Sequence, residues 1–371
     1  MNSLPRRIIR KLNHYLNLVI GKCVDALTRI GLYGKVPFTI EGSYGDVIQV
    51  THPYPANYDT ADKLRFDGWK QYQTFPHDLH RVQHVLLTSD GIVLKKLRTF
   101  IPALPHPIFR NQFGLLYNLR VRLLYTKMKA PSDRKYLLVY DNWSWNNYFH
   151  WVIDTMCRLQ LVNDHVKENF TIILPKESPQ YMIEILNLYG YRDIIRVPEK
   201  SAIRVSELYS MNYAAWSGQQ HPEILKNMLR FTKNKIVGAT VIGTRRVYVS
   251  RSKARSRRVA NEAALLELLH KYNFEILHFE GMSFRDQIIQ MQDVKYLVSS
   301  HGANLTNIVW LPENARVLEL IRQDAPNFCY WSVASSIGLN YNYQLCTRES
   351  RDHITVDLDR FEKNLLNLLA E

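Results

Sequence analysis

The 371-residue sequence has little cysteine, no long apolar run and, over one extended stretch, no acidic residue. Its four cysteines, Cys23, Cys157, Cys329 and Cys346, are scattered and form no CxxC pair. This spacing excludes a zinc knuckle and a dense disulfide framework, and it fits a reducing compartment. No apolar run reaches the roughly eighteen residues that a spanning helix needs, so none is expected. A basic N-terminus precedes only a short apolar piece, Tyr15 to Ile20, and no small-residue cleavage site follows, so no signal peptide is expected. HExxH, internal repeats and low-complexity tracts are also missing. The missing acids lie between Lys226 and Arg258, where eleven Lys or Arg stand without one Asp or Glu.

What is present is the composition of a soluble globular chain, 46% apolar and 22% charged. Its length suits two domains of ordinary size. Much of the net charge of +14 sits in the 226–258 stretch and in residues 1–35, where seven cations face one acid, Asp25. A localised cationic stretch points to nucleic acid, a membrane surface or a phosphate-bearing small molecule. Between Pro5 and Ile30, apolar residues at helical spacing alternate with Arg6, Arg7, Arg10, Lys11 and Lys22, which predicts a basic amphipathic helix. Packing on a domain and contact with a membrane surface are both open for it.

Residues 35 to 130 predict short strands and loops, with alternating runs at Val82–Leu87 and Gly91–Leu97. From Lys135 strands and helices alternate. Strands are predicted at 136–140, 171–174 and 194–197. The helices between them run over 146–162 and from Pro179 to Gly190. Tyr213 to His221 is a connection, and Pro222 starts a further helix. A second series follows, with strands at 246–250, 274–279, 296–299 and 316–321. Asn261 and Ser283 are candidate helix caps, Ser283 with Asp286 in a capping box. This alternation predicts parallel sheets with right-handed crossovers. The fold class is α/β, with two Rossmann-like domains facing a cleft.

In such sheets ligands sit beyond the carboxyl ends of the strands. After Val247–Val249 come Ser250 and then Arg251, Lys253, Arg255, Arg257 and Arg258, cations that repel one another unless an anion joins them. Guanidinium groups suit bidentate phosphate contact. The alternative is a solvated basic loop. After the next strand come His301, Gly302, Ala303, Asn304, Leu305, Thr306 and Asn307, a turn whose N–H groups can approach a phosphate. Glu319 stands inside an apolar strand, a local conflict typical of functional sites. It is read as a ribose-hydroxyl acceptor or as a residue on an exposed strand edge. In the first half, His150 and Asp154 are one helical turn apart and form a candidate general-base pair. Asp357-Leu358-Asp359 spells a DxD metal motif, but it precedes a helix that Asp359 would cap, and no metal site is predicted.

An ordered series of motifs carries a resemblance to a known family. It comprises Asn147-Tyr148-Phe149-His150-Trp151 with Asp154, and Ser250-Arg251 with Arg257-Arg258-Val259 and Asn261-Glu262. It continues through Met282 to Gln287, His301 to Asn307, Leu311-Pro312 and Val317 to Leu320. Over Lys135 to Arg322 the chain resembles glycosyltransferase family 61, which includes plant xylosyl- and arabinosyltransferases, animal O-linked N-acetylglucosaminyltransferases and bacterial surface-polysaccharide proteins. The resemblance implies a GT-B fold, inverting transfer from a nucleotide sugar to a saccharide or lipid-linked saccharide, and no obligatory metal or other cofactor. It also implies that Arg251, the His301 turn and Glu319 bind the nucleotide diphosphate. One departure is Asn304, where a second Gly is usual. The lack of an anchor points to the bacterial capsular branch and a cytoplasmic location, at the inner membrane face if residues 5–30 touch lipid.

The expected organisation is therefore a basic helix (1–35), an acceptor domain (36–220), a nucleotide-sugar domain (221–345) and a C-terminal helix (346–371) returning to the first domain. Two other readings stand beside it. The 226–258 segment and the 12% aromatic content would also serve nucleic-acid binding, although the cations crowd one loop and Trp143, Trp145, Trp151 and Trp310 suit sugar faces better. The other alternative is a non-catalytic saccharide-binding protein.

Overall fold

The computed structural model describes residues 36–370, apart from 106–108, 110–111, 239–240 and 351–352. The helix expected over residues 5–30, and with it Cys23, lies outside the described residues. The chain is mixed α/β, with a nine-stranded sheet, a six-stranded sheet and a small two-stranded one.

The larger sheet begins as the alternation predicts. Ile194–Val197, Phe170–Pro175, Lys135–Leu138 and Ser201–Met211 lie side by side and parallel. Phe170–Pro175 is buried at all six positions, as expected of a parallel strand covered on both faces. Beyond Ser201–Met211 the sheet turns antiparallel through His77–Thr88, Val93–Lys95 and Arg98–Thr99. His77–Thr88 is twelve residues long, and polar side chains hide its first half from a hydrophobicity reading. Burial pushes the His77 imidazole down to about 3, keeping it neutral, and its Nδ1 meets the Asn212 carbonyl at 3.3 Å. The region expected to hold only strands and loops also contains two helices, Lys63–Lys70 and Leu115–Leu124.

The smaller sheet runs in the order Glu275–Leu277, Arg245–Val249, Val294–Ser300, Arg316–Arg322, Asn340–Ser350, His353–Thr355. Its first five strands are parallel and the last is antiparallel. In chain order the parallel strands read 2-1-3-4-5, a doubly wound arrangement. Its order reverses between Arg245–Val249 and Val294–Ser300, where crossovers leave toward opposite sides and open a crevice.

Local chemistry explains several boundaries. Ser283 Oγ accepts the Asp286 N–H at 3.1 Å, the predicted cap. Asn261 makes no cap bond; its amide and carbonyl instead grip both backbone groups of Val356 at 2.8 and 3.0 Å. The final helix, Leu358–Ala370, is capped by Asp357, not Asp359: Asp357 Oδ1 accepts the Arg360 N–H at 3.1 Å.

Two expectations about organisation are corrected. The C-terminal helix does not return to the first half. Phe361, Leu365 and Leu368 enter a buried cluster with Tyr248, Leu265 and Leu318 against the smaller sheet. The 346–350 stretch is strand: Cys346 still pairs with Arg322, and residues 347–350 continue beside His353–Thr355. Conversely, residues 52–70 leave the larger sheet. Phe66 packs at 4.2 to 5.0 Å from the rings of Phe328, Trp331 and Tyr343, and Asn57 bonds both backbone groups of Tyr343. One buried cluster consequently draws on both sheets.

Candidate active site

The crevice between Arg245–Val249 and Val294–Ser300 is where the two candidate phosphate loops emerge, and here they touch. Arg251 is nearly buried, its Nε and Nη2 donating to the carbonyls of Arg257 and Ser256 at 3.3 Å. Its guanidinium lies flat on Gly302: a Cβ there would stand 2.4 Å from Arg251 Cζ. Glycine is therefore needed for close approach of the cation. Burial pushes the Arg251 pKa down, and Arg257 adds to that. Among the described residues no carboxylate forms an ion pair with Arg251. Two carbonyls and the more distant charge of Glu280 offset the burial of this cation only in part, so the site suits an anion. Arg257, exposed and left-handed at φ 59°, extends the same positive charge.

His301 follows the strand Val294–Ser300 directly. Its Nδ1 meets Glu319 Oε1 at 2.6 Å, and the Tyr341 hydroxyl donates to Oε2. Glu319 is fully buried in the interior strand Arg316–Arg322. Both its oxygens are taken, so it sits behind His301 as an orienting group and faces neither a ribose nor solvent. The start and the middle of the Ala303–Trp310 helix are likewise tied down. Tyr330 donates to the Gly302 carbonyl at 2.7 Å and lies 3.3 Å from Thr306 Oγ1. Asn307 accepts from the Tyr148 hydroxyl at 2.8 Å and donates to Gln287 at 2.9 Å. Thr306 and Asn307 are fully buried and serve this helix and its link to the first half, not a ligand surface. Asn304 is half-buried, 3.5 Å from Glu280.

Opposite stands the motif of the first half. The helix expected over 146–162 is broken: Ser144–Asn146 is 3₁₀, His150–Thr155 is a π-helical turn, and the α-helix begins at Met156. Such wide turns recur at functional sites. His150 Nδ1 meets Asp154 Oδ2 at 2.9 Å, which fixes the carboxylate-facing nitrogen and leaves Nε2 for another partner. Ser217, from the connection after the larger sheet, lies 3.0 Å from Nδ1 and donates to Asp154 at 2.9 Å. Trp143 stacks on the imidazole, ring centroids 5.0 Å apart. Beneath, Arg158 pairs with fully buried Asp141 at 3.2 Å and donates to the Asp154 carbonyl, stiffening the turn.

One cleft of about 300 Å³ joins these parts. His150, Ser217, Trp69 and Trp143 line one side, and Arg257, His301, Ala303, Asn327 and Tyr330 the other. A neighbouring pocket of about 220 Å³ shares Arg257, His301 and Asn327. The structure thus brings His150, Arg257, His301 and Ala303 to one space, sets Asp154 behind His150 and Arg251 against Gly302 behind the loops that line it, and draws Glu319, Thr306 and Asn307 inside the protein. Ser217, Trp69, Asn327, Tyr330 and Tyr341 escaped the sequence reading, since none carries a spacing signal. Trp151 and Trp310 are fully buried core, not sugar platforms. The cations of 226–258 do not form one face: Arg245 pairs with Glu275 and Asp293, Arg246 and Lys233 donate to backbone carbonyls, and Arg251 is inside.

A family profile covers much of this region. Residues 148–318 match the sequence profile described as Glycosyltransferase 61. Over 108 residues the chain is 34% identical to the EGF domain-specific O-linked N-acetylglucosamine transferase of Drosophila melanogaster. That match covers 28% of this chain and 20% of the relative's length. Residues 148–318, the part similar to that family profile, contain His150, Asp154, Arg251 and the His301 turn.

Proposed function

We propose that the protein is a glycosyltransferase of GT-B-like, two-domain architecture. It would move a sugar from a nucleotide-sugar donor to a saccharide acceptor, with inversion and without a required metal. The observation that carries this reading is Arg251, a buried cation without a carboxylate ion pair among the described residues, lying on Gly302 at the crevice beside the His301 turn, which faces His150 across the cleft. The donor diphosphate would supply the missing negative charge, with Arg257 and the N–H groups at Ala303 as further partners. The ribose would lie near His301, whose orientation Glu319 and Tyr341 hold.

In the transfer step His150 Nε2 takes the acceptor hydroxyl proton as the oxygen forms its bond to the anomeric carbon. The bond from that carbon to the diphosphate oxygen breaks on the opposite face, and the departing charge passes to the Arg251–Arg257 side. Asp154 stabilises the imidazolium, and Trp69 and Trp143 offer faces to a sugar ring. The resemblance and the relative's name extend the reading. N-acetylglucosamine is the first donor sugar to test, and a cytoplasmic surface-polysaccharide precursor, free or lipid-linked, the first acceptor.

The experiment is thermal stabilisation by a panel of nucleotide sugars, followed by calorimetry with the best nucleoside diphosphate. Arg251→Ala is expected to weaken that diphosphate by about 2 kcal/mol, roughly thirtyfold. Unchanged affinity removes Arg251 from the site, and no stabilisation by any nucleotide sugar overturns the donor assignment. Activity lost with EDTA and restored by magnesium or manganese would refute metal independence.

A further inference from the structure

Far along the larger sheet from the cleft, the helix Leu115–Leu124 is turned in an unusual way. Its inward face is Leu115, Asn118 and Val121. Its outward face carries Leu116 and Leu123, two turns apart, which are 52% and 80% exposed, and Leu124 beside them is 73% exposed. A surface helix ordinarily keeps its apolar stripe toward the core. Here the core side holds a buried asparagine and the solvent side holds leucines. Contiguous exposed apolar residues of this kind mark an interaction site.

The helix runs through Tyr125 directly into the strand Thr126–Lys129, and a groove of about 630 Å³ opens beside that junction. It is lined by Lys95, Lys96, Arg122, Lys127, Lys129 and Arg204, with no Asp or Glu among its lining residues. Lys129 and Arg204 are direct neighbours on paired strands, an unfavourable like-charge juxtaposition unless anions join them. Lys95, Lys127 and Arg122 donate to uncharged oxygens, at 2.6 Å to the Gln83 carbonyl, 2.5 Å to the Tyr125 carbonyl and 2.7 Å to the Asn118 amide oxygen. Among the described residues, none of Lys95, Arg122, Lys127, Lys129 and Arg204 forms an ion pair with a carboxylate. Burial and the neighbouring cations push Arg122 and Lys127 below their usual range.

We propose that this surface docks the protein on an anionic lipid bilayer, the cationic groove taking lipid headgroups and Leu116, Leu123 and Leu124 entering the acyl boundary. A soluble polyanion would fill the groove and leave the leucines in water, and an apolar protein partner would leave the cations unmatched. A charged layer over an apolar layer matches both at once. The inference does not depend on the reaction at the cleft, and it needs no contribution from residues 5–30.

The test is co-sedimentation of the full chain with vesicles of phosphatidylcholine, alone or mixed with phosphatidylglycerol. Two triple variants at exposed positions are compared: Leu116→Ser with Leu123→Ser and Leu124→Ser, and Lys127→Glu with Lys129→Glu and Arg204→Glu. Circular dichroism and urea unfolding, measured in parallel, report that each variant is folded. Wild type should prefer the anionic vesicles, and each variant should bind them at least tenfold more weakly. The leucine variant should still bind inorganic polyphosphate as wild type does, whereas the charge variant should not. Absence of vesicle binding by wild type overturns the proposal. So does full vesicle binding by the leucine variant, which would make the groove a soluble-anion site. Undiminished binding by both variants assigns attachment to another surface and overturns it as well.

Discussion

Two histidine–carboxylate pairs face the same cleft and look alike at first contact, His150 with Asp154 and His301 with Glu319. Each uses Nδ1 toward the carboxylate, at 2.9 and 2.6 Å, and each imidazole is about equally exposed, 17% and 15%. They differ behind the ring. Asp154 is four residues away on the same wide turn and shares its oxygen with the Ser217 hydroxyl. Glu319 comes from the middle of the neighbouring parallel strand, and Tyr341 from the strand beyond occupies its second oxygen. They differ in company too. Trp143 lies against His150, whereas Arg257 lines the pockets beside His301. The same pair of groups can thus be mounted on a local turn beside aromatic faces, where a proton can be exchanged with a substrate. Or it can be mounted on the rigid sheet beside cations, where the carboxylate holds the imidazole still.

The largest expected effect tests the rigid mounting. Glu319→Ala leaves His301 and Tyr341 without their buried acceptor and should destabilise the fold by about 3 kcal/mol, read from urea unfolding. A loss below about 1 kcal/mol would place Glu319 on the same loose footing as Asp154 and erase the contrast.

Next comes the proton-exchange role. His150→Ala and Asp154→Asn should each lower turnover by roughly a hundredfold, with nucleoside-diphosphate affinity nearly unchanged. Turnover and calorimetry on the same preparations decide it. Normal turnover in both variants moves the base elsewhere, and lost nucleotide affinity makes both pairs donor-binding.

A smaller effect is expected at the contact between loops. Gly302→Ala puts a methyl group into the Arg251 guanidinium, so nucleotide affinity should fall by about tenfold, near 1.4 kcal/mol. Turnover at saturating donor should fall less. An unchanged dissociation constant would show that Arg251 need not lie on the Gly302 backbone to bind.

Ser217→Ala should be the mildest. It removes one hydroxyl donor from Asp154 and should slow turnover about fivefold, equivalent to about 1 kcal/mol. Turnover identical to wild type would reduce Ser217 to packing.

Much of this arrangement was legible in the residues, and the failures have physical causes. Strands buried on both faces, such as Phe170–Pro175, announce themselves as apolar runs. Of His77–Thr88 only the Val82–Leu87 half does, because neutral imidazoles occupy core positions in the rest. The Arg251 loop and the His301 turn could be singled out because each follows a parallel strand. That Arg251 lies on Gly302, without a carboxylate ion pair among the described residues, required the loops to meet. Glu319 was conspicuous as a carboxylate in an apolar strand. Its neighbours on either side decided that it faces inward, since a strand reads the same from sequence whether it lies at an edge or inside a sheet.

The sequence by itself determined the α/β alternation, the two candidate phosphate loops and the His150–Asp154 spacing, because each depends on residues within one or two turns of each other. Only the tertiary structure decided that His150 and His301 share a cleft and that Ser217 completes the first pair. It alone gave Thr306 and Asn307 a structural task, and it alone sent residues 52–70 and the last helix to the smaller sheet. Those outcomes rest on contacts between segments up to 286 residues apart, and no local pattern encodes which distant surface will bury a side chain.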